Sequence, residues 1–198
     1  MRYLLLASAA LVAAALASQA QAAPITVSPG DLSSMGQITA VFVYRDAADT
    51  STLSRAGSSG VIFNNQTAAI GSSMNVGTGN GVVTFELNNL TRGTTFATGV
   101  ADSGIYYARY STDFASFGVG PLSAAASAAI AQLPNNVTYV GFEDMRDGDY
   151  DYNDLIFAFS PVVATPAAVP EPASLALFGM GLLGMGLVRG RKSAKPAA

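Results

Sequence analysis

The chain has 198 residues, 50% of them apolar, with 13 acidic side chains against 10 basic ones and no Cys, His or Trp. That inventory excludes a Ser-His-Asp triad, a cysteine nucleophile, a zinc centre of the usual ligand set, and a haem or iron–sulfur group. The length suits one domain with a real core and is too short for two large ones.

In chain order, the first segment reads MRYLLLASAALVAAALASQAQAAP. Arg2 makes a short positive start, Leu4 to Ala17 is apolar except for Ser8, and Ala20-Gln21-Ala22 is a small-x-small site that leaves Ala23 first. This is the pattern of a secretory signal peptide over residues 1–22, removed by signal peptidase.

Residues 23–163 are expected to form the exported domain. From residue 23 to residue 169 there are twelve acidic residues, five Arg and no Lys, a balance of −7. Such a surface repels nucleic-acid phosphates and anionic headgroups and favours cations. No nucleic-acid partner is expected. The β-branched and aromatic runs Ile38–Tyr44, Gly60–Phe63, Val82–Leu87, Ile105–Tyr110, Val137–Phe142 and Leu155–Phe159 predict strands, separated by turn-rich stretches such as Gly71-Ser72-Ser73 and Gly77-Thr78-Gly79-Asn80-Gly81. Within Val82–Leu87, the alternation puts Val83, Phe85 and Leu87 on one face, which should be core. Leu122–Leu133 is Ala-rich and closed by Pro134, which predicts one short helix crossing an edge of the sheets. The expected fold class is all-β, a β-sandwich of jelly-roll type with one short helix.

The densest chemistry lies in GFEDMRDGDYDYND, residues 141–154. Glu143, Asp144, Asp147, Asp149, Asp151 and Asp154 are carboxylates, with Arg146 and Asn153 among them. In an extended chain, residues two apart are roughly 6.6 Å from each other on one face. Asp147, Asp149 and Asp151 would then repel one another by about 0.6 kcal/mol per pair even in water. Oxygen donors without His or Cys select Ca²⁺ first and Mg²⁺ second, so Glu143, Asp144, Asp147, Asp149, Asp151, Asn153 and Asp154 form the candidate ligand set. Gly148 is expected to allow the reversal that gathers them round one ion. A known calcium loop is not reproduced whole, since an EF-hand would need Gly where Tyr152 stands and Glu where Ala158 stands. The competing reading is a solvated acidic turn.

Residues 164–172 read as an extended linker. Residues 173–188 carry no charge and would span roughly 24 Å as a helix, enough for a transmembrane helix with local thinning. Residues 189–198 form a basic tail, with Arg189, Arg191, Lys192 and Lys195, that stays cytoplasmic. The order Pro170-Glu171-Pro172, apolar span and Arg-rich end resembles the PEP-CTERM sorting signal of Gram-negative bacteria. That resemblance implies recognition by an exosortase, transient anchoring in the inner membrane, and release to the cell surface or extracellular matrix, in a setting rich in exopolysaccharide.

FEDMRDGDYDYNDLIFAF also resembles the end of domain of unknown function 4114, matching its FED-x-x-x-G-D-x-D-[FY]-N-D pattern through Phe142, Glu143, Asp144, Gly148, Asp149, Asp151, Tyr152, Asn153 and Asp154. Met145-Arg146-Asp147 stands where that family has a Gly-rich spacer, and the His of its upstream strand is absent. The resemblance implies a secreted or surface role with Ca²⁺ at the loop. The resulting expectation is a non-catalytic surface or matrix protein that binds Ca²⁺. Two alternatives stand beside it. One is a glycan-binding module for exopolysaccharide, stacking sugars on Tyr106, Tyr107, Tyr110, Tyr150 and Tyr152. The other is a glycan-active enzyme using Glu143 with Asp154.

Overall fold

The computed structural model describes residues 22–134 and 136–167. The expected signal segment up to residue 21, the apolar span 173–188 and the basic tail lie outside the described residues.

The strands build two antiparallel sheets. The larger contains β1 (Asp31–Arg45), β4 (Ser73–Val83), β9 (Ala108–Ser111), β10 (Thr138–Phe142), β11 (Leu155–Ser160) and β12 (Val163–Thr165). The smaller contains β2 (Ser51–Arg55), β3 (Val61–Asn64), β5 (Phe85–Asn89) and β6 (Thr94–Ala97), in the order β3-β2-β5-β6. A short ribbon joins β7 (Ala101–Asp102) to β8 (Ile105–Tyr106). β1 is the spine of the larger sheet. It pairs with β4 along one edge, and with β12 and then β11 along the other. β11, β10 and β9 follow as neighbours.

Period-2 alternation explains both faces of this sheet. Ile38, Ala40 and Phe42 of β1, Val140 and Phe142 of β10, and Leu155, Phe157 and Phe159 of β11 face the smaller sheet, where they meet Leu53, Phe63, Phe85, Leu87 and Phe96. Phe42, Phe63 and Phe157 stack with centroids 5.2–6.0 Å apart, and Phe85 lies on Phe159 at 3.8 Å. Val41, Val43, Tyr139, Ile156 and Ala158 point the other way, under Phe114, Phe117 and Ala126. The continuous apolar run of β11 is thus buried on both sides.

The helix α1 (Ala124–Ile130) is shorter than the predicted 122–133. Ser123 caps it by accepting the Ala126 N–H at 3.1 Å. It does not cross an edge but covers the outer face of the larger sheet, together with the 3₁₀ turn Phe114–Phe117. Gly71, at φ +88°, permits that approach, because a Cβ there would sit 2.8 Å from the Ala125 backbone.

Several sequence expectations are corrected. The run Val82–Leu87 is not one strand. It breaks at Thr84, where the chain leaves β4 in the larger sheet and enters β5 in the smaller. Its inward face survives this corner, since Val83, Phe85 and Leu87 are all buried. Ile105–Tyr110 breaks at Tyr107 between β8 and β9. The glycines of 77–81, expected as a turn, lie inside β4; β1 supplies the ladder that their composition would not predict. β12 places Ala164 and Thr165, expected as linker, opposite Leu32 and Asp31. The strand order is not a strict jelly roll. The chain alternates between sheets through β6, but β9 to β12 all stay in the larger sheet.

Candidate metal centre

The acidic loop connects β10 to β11, two of the most deeply buried strands. Its stems are pinned on several sides. The Glu143 N–H donates to the Tyr107 carbonyl at 3.0 Å, and the Asp46 N–H to the Asp154 carbonyl at 2.8 Å. The Asp154 Oδ2 accepts the Asp144 N–H at 2.9 Å. The Asn89 Nδ2 donates to the Asp144 carbonyl at 2.7 Å and to the Asp49 Oδ2 at 3.0 Å. Arg92 Nε also donates to that Asp49 oxygen.

The loop is not extended, so the two-face alternation expected for it does not hold. Asp147, Tyr150 and Tyr152 have φ of 56°, 59° and 60°. The left-handed positions therefore fall on these three residues and not on Gly148, to which the sequence assigned the reversal. Gly148 serves by lacking a side chain. A Cβ there would lie 2.7 Å from the Glu143 Oε2. Gly141 serves similarly on β10, where a Cβ would meet the Tyr152 carbonyl at 2.1 Å and the Phe117 ring at 2.5 Å.

This backbone gathers Glu143, Asp149 and Asp151, with one carboxylate oxygen from each within 4.8 Å of the others. Glu143 is 0% exposed. Its Oε1 accepts the Tyr152 N–H, whereas its Oε2 is buried with no hydrogen-bond partner. A buried carboxylate oxygen left without a donor is costly, and a cation is one way to satisfy it. Burial pushes the Glu143 carboxyl up to about 8, and the charges of Asp154, Asp149 and Asp151 add to the rise. The Asp151 carboxyl is raised too, first by burial and then by Asp149. Asn153 braces Asp151, its Nδ2 donating to Oδ2 at 2.6 Å and its N–H to Oδ1 at 3.1 Å.

The other sequence candidates stand apart from this trio. Asp144 is 2% exposed and raised mainly by burial and then by Asp49. It is tied to Asp154, whose carboxyl is pushed up to about 7, chiefly by burial and then by Asp144. Asp147 is exposed at the loop tip. Arg146 turns outward to Asp102, with 2.6 Å from Nε to Oδ2. Sequence reasoning missed Asn89, Asp49 and Arg92, whose side chains come from distant parts of the chain to clamp the stem. It also missed Tyr152 as a buried anchor. Nothing in local spacing marks these residues, though a buried-type Asn ending a strand is a weak hint.

The donor set fits a hard divalent ion in two respects. It offers three carboxylates with an unsatisfied inward oxygen, and the absent Gly148 side chain leaves room beside that oxygen. Of the five tyrosines expected to stack sugars, Tyr107 and Tyr152 are buried, at 3% and 2% exposed, with Tyr107 stacked on Phe96 at 4.2 Å, and Tyr106, Tyr110 and Tyr150 are partly buried.

Fold and loop together define an all-β protein whose charged chemistry is concentrated in one buried-to-surface carboxylate cluster. Residues 168–192 match the PEP-CTERM protein-sorting motif. The match spans Pro170, Glu171, Pro172, Arg189, Arg191 and Lys192, and it marks the chain for export and membrane-associated sorting by the exosortase system. No curated protein and no solved structure matches the chain. Among the described residues, no helix is long and apolar enough to cross a membrane.

Proposed function

We propose that the chain is a non-catalytic cell-surface or extracellular-matrix protein of a Gram-negative bacterium, whose sandwich is tied down by Ca²⁺ held between Glu143, Asp149 and Asp151. Signal peptidase cleaves before Ala23, an apolar helix over residues 173–188 anchors the precursor in the inner membrane, and exosortase then releases it. The observation that carries the cation is the Glu143 Oε2, fully buried and without a donor, on a carboxylate that has one oxygen within 4.8 Å of those of Asp149 and Asp151. Asp154 is near enough to raise Glu143 but is committed to the Asp144 N–H, so it braces the site. The likeness of residues 142–154 to domain of unknown function 4114 supports the same surface role.

An enzymatic reading of Glu143 with Asp154 is less favoured. A glycosidase pair needs one carboxyl raised and one left ionised, yet both are pushed up here. A sugar platform is less favoured because two of its five rings, Tyr107 and Tyr152, are buried.

The test is calorimetric titration of the purified, chelator-treated chain with Ca²⁺, followed by the host's exopolysaccharide. A single Ca²⁺ site with a dissociation constant of about 10⁻⁴–10⁻³ M is expected. At ten times that concentration the ion adds roughly 1.4 kcal/mol of stability. Absence of any heat or thermal shift with Ca²⁺ leaves a solvated acidic turn.

A further inference from the structure

Among the residues just before β1, Ile25 is hydrogen-bonded both to the acidic loop and to β8. Ile25 is half-buried between exposed neighbours. Its N–H donates to the Tyr152 hydroxyl at 2.8 Å, and its carbonyl accepts the Tyr106 N–H at 2.9 Å. The Tyr152 hydroxyl in turn donates to the Tyr106 carbonyl at 3.0 Å. Tyr152 is therefore gripped at both ends. Its ring end holds the strap, and its main-chain N–H donates to the Glu143 Oε1. A tyrosine at φ 60° is not favoured by its own backbone, so its surroundings hold it there.

We propose that residues 24–26 are a strap that assembles the cation site: Ile25 fixes Tyr152, and Tyr152 positions Glu143 so that its free oxygen meets Asp149 and Asp151. This rests on the Ca²⁺ reading above. Cleavage before Ala23 would make the strap the first residues of the mature chain, so the new N-terminus becomes part of the site's framework. Tyr152 is a positioning residue and touches no ion itself. Because coupling between two sites is reciprocal, ion binding must also tighten the strap.

The test uses the purified full chain. Amide hydrogen exchange of the peptide covering residues 22–30 is followed with and without Ca²⁺, in wild type and in Glu143→Gln. Ca²⁺ should slow exchange at Ile25 about tenfold in wild type and not at all in the variant. A purely structural Tyr152 would give no such dependence. In parallel, Ile25→Pro removes the N–H donor, and Tyr152→Phe removes the hydroxyl. Each should weaken Ca²⁺ about tenfold, the scale of one lost hydrogen bond. If wild type binds Ca²⁺ but strap exchange is unchanged and both variants bind as tightly, the strap proposal is overturned and the cation reading stands. If wild type binds no Ca²⁺, both fall. Should either variant fail to fold, the exchange measurement on wild type decides alone.

Discussion

At the scale of single residues, Glu143 governs the site because it is the one carboxylate of the trio fully removed from water. Its proton is held to about 8 against an ordinary 4.5, through burial and then the fields of Asp154, Asp149 and Asp151, with the Tyr152 N–H opposing. Between those values the folded state binds more protons than the unfolded one, so stability falls as pH rises. Asp154, Asp144 and Asp151 are shifted in the same direction. Asp49 and Asp102 are lowered, first by hydrogen bonds from Asn89 and Arg146 respectively, but they are only partly buried and their arginine partners are exposed, so they count for less. Thermal melts of metal-stripped protein should therefore show a falling melting temperature from about pH 5 to pH 8. Saturating Ca²⁺ should remove most of that fall. Glu143→Gln should make it shallower without any metal, leaving the part carried by Asp154, Asp144 and Asp151, and abolish the Ca²⁺-induced rise. Asp149→Asn with Asp151→Asn should also abolish the rise, while leaving the metal-free fold intact or slightly stabilised by relief of repulsion. A Ca²⁺-induced rise that persists in both variants would place the ion elsewhere. Gly148→Ala is a steric counterpart: its Cβ would crowd the Glu143 Oε2, so the Ca²⁺ response should vanish with every carboxylate still present.

At the scale of elements, the loop works because its stems belong to the sheet. Ordering a free loop of this length would cost of order 1–2 kcal/mol per residue, whereas β10 and β11 have already fixed both ends. Asn89, at the end of β5, ties the smaller sheet to this stem. Asn89→Ala would leave the Asp144 carbonyl and the Arg92 N–H without their side-chain partner, at about 1–3 kcal/mol. Denaturant melts in chelator should register that loss without Ca²⁺ present. Gly141→Ala on β10 should cost a similar amount, because the Tyr152 carbonyl and Phe117 ring occupy the space. It should also weaken Ca²⁺, since Tyr152 must shift away. A variant that melts and binds as wild type would show that the loop has another way to pack.

At the scale of the whole molecule, stability comes from the stacked aromatic layer between the sheets, with no disulfide available to help. Phe157 is the hub, packed against Phe42, Phe63, Phe142 and Phe159. Phe157→Ala should cost about 3–5 kcal/mol. Its melting temperature, like that of wild type, should be indifferent to reductant. The ends of the chain carry a separate expectation. Intact-mass spectrometry of protein released from cells should show a start at Ala23 and loss of the segment beyond Pro172. Released protein that retains Arg189 to Ala198 would contradict processing by the sorting system.

The sequence by itself determined the parts whose physics is local. The Pro-Glu-Pro, apolar and basic order is a linear signal read by other proteins, and it was matched as such. Strands with strong β-branched and aromatic runs, such as Ile38–Tyr44 and Leu155–Phe159, were legible because side-chain alternation is a property of the strand alone. The glycine-rich half of β4 and the short β2, β6 and β12 were not, because pairing with a neighbour, and not composition, makes them strands. The acidic loop was visible as a concentration of charge. Which carboxylates meet was decided by left-handed turns at Asp147, Tyr150 and Tyr152 and by anchors at Ile25, Tyr106, Asn89 and Asp49, residues up to 127 positions away in the chain. Burial of Glu143 follows only when the loop folds back to bring Tyr152 and Gly148 against its side chain, so its raised proton affinity and orphaned oxygen belong to the tertiary structure.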